Sequence, residues 1–499
     1  MLYNSTRGEY GGFAAAEVIK TGISPDGGLF VPEQIPRITL RQLEEMSVMP
    51  YQERAKIVLQ LFLTDFSEEE LAYCVSSAYN PASFDVPGIA PLYQLNDRLF
   101  VQELWHGPTS AFKDMALQIL PHLLTKAAVK TGDPSTIVIL VATSGDTGKA
   151  ALEGFKDVPR TRIIVFYPED GVSHMQKLQM TTQEGANVDV VAVRGNFDDA
   201  QNGVKSIFAD ADLSRELAGG DFRLSSANSI NWGRVAPQIV YYFSAYLDLM
   251  AQGKLPAGEA INIVVPTGNF GNILSAYYAK EMGLPVGKLI CASNANNVLT
   301  DFIRTGNYNS NRRFWKTISP SMDILISSNL ERLLYHLNGE NAGQIREWMA
   351  ALKETGRFQA DEQTKNAVGE LFWSGFASDD ATMGTIIKTF REYHYLIDPH
   401  TGAGLNVYDQ YLAAAADPAL TVLASTASPY KFNASVAEAI LGREAIQDKD
   451  ETALLETVFQ LSGMKIPAGL ENLGNKPVLH GRVAAIGNLL PELKDILGY

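Results

Sequence analysis

Six short apolar runs, rich in β-branched residues and separated by segments with helical periodicity, most constrain the fold of this chain. They lie at residues 137–141, 162–166, 188–193, 261–265, 289–292 and 420–424. A strand that is apolar on both faces must be covered on both faces, which is typical of a parallel sheet with helices on each side. The alternation therefore predicts an α/β fold, in which ligands bind beyond the carboxyl ends of the strands.

The first hundred residues follow a different pattern. Apolar residues recur at helical spacing over 40–63, and Ser67 followed by three glutamates is typical of a helix cap and first turn. A Pro- and Gly-containing segment at 81–91 reads as a connector. At about 150 residues per domain, the 499 residues suggest about three domains. We predict a mainly helical N-terminal domain over 1–95, a smaller, mobile α/β domain over 96–230 and a larger α/β domain over 231–499.

Charge and cysteine content exclude several classes of protein. With 41 Lys+Arg against 56 Asp+Glu, the net charge of −15 argues against a nucleic-acid partner. The apolar runs are too short to span a bilayer, and the N-terminus has no basic region leading into an apolar stretch. Cys74 and Cys291 are far apart and have no metal-ligand spacing, so neither a disulfide nor a metal site is expected. We expect a soluble, cytoplasmic protein without nucleic-acid, membrane or metal partners.

The segment from Thr143 to Lys149, Thr-Ser-Gly-Asp-Thr-Gly-Lys, connects a predicted strand to a predicted helix. Free amides and hydroxyls at such a helix start favour an anion. A P-loop is excluded, because its first position would be Gly rather than Thr143 and its last would be Ser or Thr rather than Ala150. An ordinary turn with a capping hydroxyl remains the alternative.

A second turn, from Pro266 to Asn272, also joins a strand to a helix. Its two glycines let the backbone approach a ligand, and the helix dipole favours an anion. The spacing is not the dinucleotide fingerprint G-x-G-x-x-G, so a small phosphate group suits it better than a pyrophosphate. Tight packing between strand and helix would explain the glycines equally well.

Lys113 is a candidate nucleophile. If Ser110 caps the following helix, Lys113 lies in its first turn, where the helix dipole lowers the pKa of the amine. The alternative is an ordinary surface lysine. A nucleophilic lysine with two anion-binding turns is what a pyridoxal phosphate enzyme requires. The hydroxyls of 425–428, directly after the last apolar run, could contact the pyridine nitrogen of that cofactor.

With these features in place, the chain resembles the threonine synthases, of the longer bacterial and fungal branch. These belong to the fold-type II pyridoxal phosphate enzymes, the tryptophan synthase β-like class. The resemblance covers the whole length and rests on the segments 3–8, 22–32, 106–114, 144–148, 268–272, 398–401 and 426–432. It implies two parallel-sheet α/β domains plus a mainly helical N-terminal domain. It also implies a carbon–oxygen lyase that converts O-phospho-L-homoserine and water to L-threonine and phosphate, as a monomer or weak homo-oligomer.

The resemblance also implies roles for individual residues. Lys113 would bind pyridoxal 5'-phosphate as a Schiff base and shuttle protons, and Thr426 would meet the pyridine nitrogen. The cofactor phosphate would lie on Gly268, Asn269, Phe270, Gly271 and Asn272, and the substrate carboxylate on Ser144, Gly145, Asp146 and Thr147. Asp146 stands where many fold-type II relatives have Asn, so it would either offer its backbone amide to the substrate carboxylate or be turned away from it.

The substrate phosphate needs a separate clamp. Amide, hydroxyl and guanidinium donors suited to a phosphate lie within two helical turns at Asn228, Ser229, Asn231 and Arg234. This clamp separates a threonine synthase from a related threonine or serine dehydratase, which needs none. A phospho-lyase that releases phosphate without making threonine is the nearer alternative.

Overall fold

The computed structural model describes the chain apart from Ser144, Gly171 and Gly220. It also leaves six side chains in the 197–218 region undescribed: Phe197, Asp198, Ala209, Ala211, Ser214 and Ala218. The strands are β1 Leu2–Ser5, β2 Phe13–Ala14, β3 Phe30–Pro32, β4 Leu92–Gln94, β5 Leu99–Glu103, β6 Thr136–Ala142, β7 Thr161–Pro168, β8 Val188–Arg194, β9 Phe222–Ser225, β10 Ile261–Pro266, β11 Val286–Ser293, β12 Asn307–Asn309, β13 Arg357–Gln359, β14 Phe372–Phe376, β15 Thr421–Ser425 and β16 Arg482–Ala485.

The helices of the first half are α1 Ala15–Thr21, α2 Leu40–Ser47, α3 Tyr51–Phe62, α4 Glu68–Ala78, α5 Asp114–Leu117, α6 Leu120–Lys130, α7 Asp146–Phe155, α8 His174–Thr181, α9 Phe197–Ala209, α10 Ala211–Gly219 and α11 Trp232–Ala251. Those of the second half are α12 Gly271–Glu281, α13 Val298–Thr305, α14 Leu330–Leu337, α15 Ala342–Thr355, α16 Glu362–Leu371, α17 Asp379–Tyr393, α18 Pro399–Ala415, α19 Asn433–Leu441, α20 Glu451–Ser462 and α21 Leu489–Leu497.

A six-stranded sheet, in the order β14-β11-β10-β15-β5-β4, forms the centre of the larger α/β unit. Its strands are parallel except for the antiparallel pair of β4 and β5. Val264 pairs with Ile290 on one side and Leu423 on the other, which places three of the predicted apolar runs side by side. The carboxyl ends of β10, β15 and β5 therefore lie together at one edge of the sheet.

A five-stranded parallel sheet, in the order β16-β8-β7-β6-β9, forms the smaller α/β unit. The predicted runs at 137–141, 162–166 and 188–193 are its three central strands. Their side chains are almost wholly buried between α7 on one face and α9 and α21 on the other. The predicted α/β class is confirmed by both sheets.

The N-terminal segment folds as a small antiparallel sheet, β2-β1-β3, with four helices. Ser67 caps α4 through a capping box, as its sequence predicts. The helical pattern over 40–63 is divided into α2 and α3, because Pro50 disfavours a helical residue before it. This segment shares a core with α11, since Trp232 packs edge-on against Tyr3 and Phe62.

The two α/β sheets do not follow the predicted boundaries at 96–230 and 231–499. The strand Leu99–Glu103 hydrogen-bonds to β15 in the larger sheet, and Arg482–Ala485 adds to β8 in the smaller one. The larger α/β unit therefore includes 99–103, and the smaller one includes 482–485. The reason is that strands join the edge with which they can pair, whatever their separation along the chain.

No helix in the described part of the chain is long and apolar enough to cross a membrane. Among the described residues, no three His, Cys, Asp or Glu side chains cluster as metal ligands would. Both cysteines, Cys74 and Cys291, are buried free thiols.

Candidate active site

Lys113 lies just beyond the carboxyl ends of β5 and β15. The segment that carries it pairs with the residues after β15 through an Ala111–Ala427 bridge. The Phe112 amide donates to the Thr426 carbonyl at 2.8 Å, and the Ser428 amide donates to the Ser110 carbonyl at 3.0 Å. These backbone bonds fix Lys113 at the edge of the larger sheet where the fold class predicts a ligand.

The helix after Lys113 begins differently from the prediction. Ser110 has a left-handed backbone, with φ of 59°, and its buried hydroxyl has no hydrogen-bond partner in the described part of the chain. The cap predicted at Ser110 is therefore wrong, and the four-residue α5 begins at Asp114. The Asp114 carboxylate instead organises this turn, since it accepts the amide of Thr109 at 2.8 Å and its hydroxyl at 2.7 Å.

The Lys113 amine is buried, with both a carboxylate and cations nearby. Burial lowers its pKa, Asp146 raises it, and the nearby cations Lys431 and Arg234 lower it further. The Nζ atom donates to the Ser321 hydroxyl at 3.3 Å and lies 3.7 Å from an Asp146 oxygen. The expected direction of the pKa shift is present, but burial is its main cause rather than a helix dipole.

The carboxylate of Asp146 is engaged by protein groups on all sides. Lys431 lies 3.3 Å from one oxygen, which also accepts from Gln176 at 3.0 Å. The other oxygen accepts from the Ser321 hydroxyl at 3.1 Å. Burial would raise the pKa of Asp146, but Lys431 and Lys113 hold it well below its usual range. An ionised, fully paired carboxylate does not repel a substrate anion as a bare one would.

The backbone before α7 offers amides to an anion. The hydroxyl of Thr143 accepts the amide of Gly145 at 3.0 Å, and Gly145 has a φ of 139°. Within the described part of the chain, the amides of Asp146 and Thr147 at the helix start have no acceptor. Ser144, another predicted ligand of the substrate carboxylate, lies outside the described residues.

The turn between β10 and α12 is shaped by close packing. A side chain at Gly268 would place its Cβ 2.4 Å from the Ser321 carbonyl oxygen, so only glycine fits there. Phe270 has a left-handed backbone, with φ of 66°, directly before α12 begins at Gly271. The backbone and side-chain amides of Asn329 donate to the Asn269 carbonyl at 3.1 and 3.2 Å.

Asn272, in the first turn of α12, carries a donor without an acceptor. Its side-chain oxygen accepts from the hydroxyls of Tyr241 and Tyr242. Both hydroxyls bind that oxygen, which fixes the orientation of the amide. The buried Nδ2 atom has no partner among the described residues. A buried donor without a partner costs about 1–3 kcal/mol, which a bound anion would recover.

The predicted clamp residues divide into two groups. Asn231 caps α11, with its oxygen accepting from Gly233 at 2.8 Å and its amide donating to the Ile19 carbonyl at 2.9 Å. Both ends of its side-chain amide therefore make structural hydrogen bonds and are not free for a ligand. Asn228 is exposed and Ser229 is half-buried, and neither side chain has a partner in the described part of the chain. These two remain free to meet a ligand.

Arg234, in the first turn of α11, is a buried cation with no carboxylate partner among the described residues. It is 3% exposed, its Nη1 atom donates to the Ala227 carbonyl, and its Nε atom has no acceptor in the part of the chain that the structure describes. Burial lowers its pKa to about 10. A guanidinium in this state is a ready site for an anion, since a phosphate would neutralise it and accept its free donor.

Thr426 and His400 lie at the same edge. Thr426 is buried, and its hydroxyl makes no hydrogen bond to the described residues. The imidazole of His400 donates from Nδ1 to Asp398 at 2.6 Å and accepts the Ser321 amide at Nε2 at 3.1 Å. Both nitrogens are occupied, so His400 supports the segment of Ser321 rather than carrying protons.

Three residues of this site were missed by the sequence reasoning: Gln176, Ser321 and Lys431. Lys431 stands within the segment 426–432 that carries the family resemblance, which was the available signal. Ser321 stands in a short 3-10 turn, Pro320–Met322, with no neighbouring motif, and Gln176 stands within α8.

Comparison with known proteins agrees with this geometry. Residues 2–79 match the family model described as threonine synthase N terminus, and residues 80–371 match that of pyridoxal-phosphate dependent enzymes. The chain is 40% identical to a threonine synthase of Pseudomonas aeruginosa over 95% of this chain and 99% of the relative. It is 36% identical to the threonine synthase of Saccharomyces cerevisiae, over 85% of this chain and 86% of the relative. The crystal structure of a pyridoxal-phosphate-bound threonine synthase from Brucella melitensis is similar, with a TM-score of 0.87 at 36% identity, covering 100% of this chain and 98% of that one.

Proposed function

The chain belongs to the threonine synthase family of pyridoxal-phosphate-dependent enzymes, and we propose that it converts O-phospho-L-homoserine and water to L-threonine and phosphate. One observation carries the proposal. Two buried donors that have no acceptor among the described residues, Nδ2 of Asn272 and Nε of Arg234, lie in the two segments assigned to two different phosphates. Lys113 is close enough to Arg234 for the cation to lower its pKa.

The residues present fit the cofactor. The turn at Gly268 has no room for a side chain, and the free amide of Asn272 at the start of α12 suits a phosphate dianion. Lys113 has the lowered pKa that an amine needs to attack an aldehyde, and Thr426 has a free hydroxyl for a ring nitrogen. When bound, pyridoxal phosphate supplies an aldehyde for amines and a ring that withdraws electrons from the neighbouring carbon.

Lys113 is the proton carrier in this proposal. Because burial and two neighbouring cations favour its neutral form, its Nζ atom can take a proton from the α carbon of the substrate. Ser321 accepts a hydrogen bond from that nitrogen and donates one to Asp146, which holds the amine in place. Asp146 has too low a pKa to take the proton itself, so it acts as a fixed negative charge.

The two ends of the substrate are bound by different groups. The free amides of Asp146 and Thr147 receive the carboxylate at the start of α7. Arg234, with Asn228 and Ser229, receives the phosphate and stabilises its charge as it leaves the γ carbon. We leave Asn231 out of this clamp, because both ends of its amide are engaged in capping α11.

One water molecule must reach the β carbon of the substrate, while bulk water must be kept out of the site. Asp146 belongs to α7 of the smaller sheet, while its partners Ser321 and Lys431 belong to segments of the larger unit. These contacts hold the carboxylate-binding turn against Lys113. Approach of the two sheets would exclude bulk water from the reacting carbons.

The alternatives differ in what they need from Arg234. A threonine or serine dehydratase has no second anion to bind, so a buried guanidinium without a carboxylate partner would be a pure cost to it. A phospho-lyase would use the clamp but would release phosphate without threonine. The presence of the clamp favours a phosphorylated substrate. The products then distinguish a threonine synthase from a phospho-lyase.

The experiment measures threonine and phosphate together from O-phospho-L-homoserine. Equal amounts of both products are expected from the wild-type protein. Lys113→Ala should abolish turnover and the visible absorbance of the lysine-bound cofactor. Lys20→Ala, which removes a lysine of the N-terminal segment that is 5% exposed and pairs with Glu17, is the control and should change neither. Phosphate without threonine, or full turnover by Lys113→Ala, would refute the proposal.

A further inference from the structure

Arg332, in the first turn of α14, joins three separate parts of the molecule. It is 0% exposed, and each guanidinium nitrogen donates to a different acceptor. Its Nε atom donates to the Phe30 carbonyl of the N-terminal segment at 2.8 Å, and its Nη2 atom donates to the Ile230 carbonyl of the clamp segment at 2.6 Å. Its Nη1 atom donates to the side-chain oxygen of Asn329.

The bond to Asn329 decides which way that amide faces. A guanidinium only donates, so the oxygen of Asn329 must face Arg332 and its nitrogen must face away. That nitrogen donates to the Asn269 carbonyl at 3.2 Å and to the Ser229 carbonyl at 3.1 Å. One amide therefore bridges the turn assigned to the cofactor phosphate and the segment assigned to the substrate phosphate.

The N-terminal segment also holds the neighbouring residue of α14. Glu331 is 6% exposed and accepts from the Thr6 hydroxyl at 2.6 Å. Arg7 donates to both of its oxygens, from Nε and Nη2, each at 3.1 Å. The start of α14 is thus fixed twice by the N-terminal segment, through Glu331 and through Arg332.

We propose that Arg332 is a positioning residue through which the N-terminal domain sets the orientation of Asn329, and thereby the spacing of the two phosphate sites. Loss of the guanidinium would free the Asn329 amide to rotate and place its oxygen against the two carbonyls it now binds. The identity of the two anions rests on the proposed function. The link itself rests on the hydrogen bonds. It gives the N-terminal domain, which contributes no reacting group, a direct part in anion binding.

The test compares Arg332→Met, Arg332→Lys and Asn329→Ala with a matched control, Arg54→Met. Arg54 is 5% exposed and also ties the N-terminal helices to α11, but through Asp248 and Ser244. We measure the dissociation constant of pyridoxal phosphate by spectroscopic titration, the phosphorus NMR shift of the bound cofactor, and kcat and KM separately.

Arg332→Met and Asn329→Ala should weaken cofactor affinity and raise KM by tenfold or more, and should shift the phosphorus resonance. Arg332→Lys should retain part of the affinity for pyridoxal phosphate and for the substrate, because it keeps one charged donor. Arg54→Met should lose stability without these changes. Wild-type affinities in Asn329→Ala, or equal losses in Arg54→Met, would overturn the proposal. Asn329→Ala decides the question if Arg332→Met does not fold. The cofactor titration decides it even if phosphohomoserine is not the substrate.

Discussion

Replacing Arg234 with Met should make the protein more stable and nearly inactive. Arg234 is a cation that is 3% exposed, with one hydrogen bond to the Ala227 carbonyl and no carboxylate partner among the described residues. It also lies near Lys113, whose pKa it lowers by repulsion. Methionine has a similar length and no charge, so it removes the buried ion without leaving a large cavity.

The magnitude follows from the contacts that change. Burying an ion without a counter-charge costs several kcal/mol, and this cost disappears in Arg234→Met. The Ala227 carbonyl loses its donor, at a cost of about 1–3 kcal/mol. The free energy of unfolding should therefore rise by about 1–2 kcal/mol. The loss of a donor aimed at the leaving phosphate should lower kcat by about 100- to 1000-fold.

The assay is thermal and urea denaturation of the cofactor-loaded protein, with and without inorganic phosphate, beside steady-state kinetics. Phosphate should stabilise the wild-type protein but not Arg234→Met, because binding to the folded state alone raises stability. Arg54→Met is the contrasting control, since it breaks an ion pair with Asp248 at 2.6 Å and should cost about 3–5 kcal/mol. A clear loss of stability in Arg234→Met, or unchanged phosphate stabilisation, would refute this reasoning.

Three further predictions concern one histidine outside the site and two residues within it. Burial alone would lower the pKa of His106, but hydrogen bonds to two carboxylates raise it to about 9. The stability that protonated His106 gives the folded protein is complete below its ordinary pKa of about 6.5 and is lost as the pH rises through 9. Urea unfolding across this window should show wild-type stability falling relative to His106→Gln. Gly268→Ala should weaken pyridoxal phosphate binding about tenfold or more, because its Cβ would lie 2.4 Å from the Ser321 carbonyl oxygen; wild-type affinity in a titration would contradict this. Asp146→Asn removes the charge that raises the pKa of Lys113, so the pH profile for reaction of Lys113 with pyridoxal phosphate should move to lower pH, and an unmoved profile would contradict the assignment.

Features with a local signal were predictable. The six apolar runs became strands, because a strand buried on both faces is apolar at every position. Ser67 capped its helix, because a capping box involves residues only three apart. In each case, the residues that decide the structure are neighbours along the chain.

Features that depend on distant contacts were not predictable from those patterns. Lys113 and Ser321 are 208 residues apart along the chain, and Thr6 and Glu331 are 325 apart. Ser110 failed as a cap because pairing with the segment after β15 holds its backbone in a left-handed conformation. The strands at 99–103 and 482–485 joined sheets on the far side of the predicted boundaries for the same reason.

The sequence by itself determined the α/β class and the order of strands and turns, and it predicted the cofactor lysine and the anion-binding segments. The tertiary structure decided which charges face one another: that Lys431 lies against Asp146, that Arg234 has no counter-charge among the described residues, and that Arg332 connects the N-terminal domain to the two segments proposed to bind phosphate. The physical reason is that backbone preferences act over a few residues. Burial and charge pairing act through space, and they take their values only when distant segments are packed together.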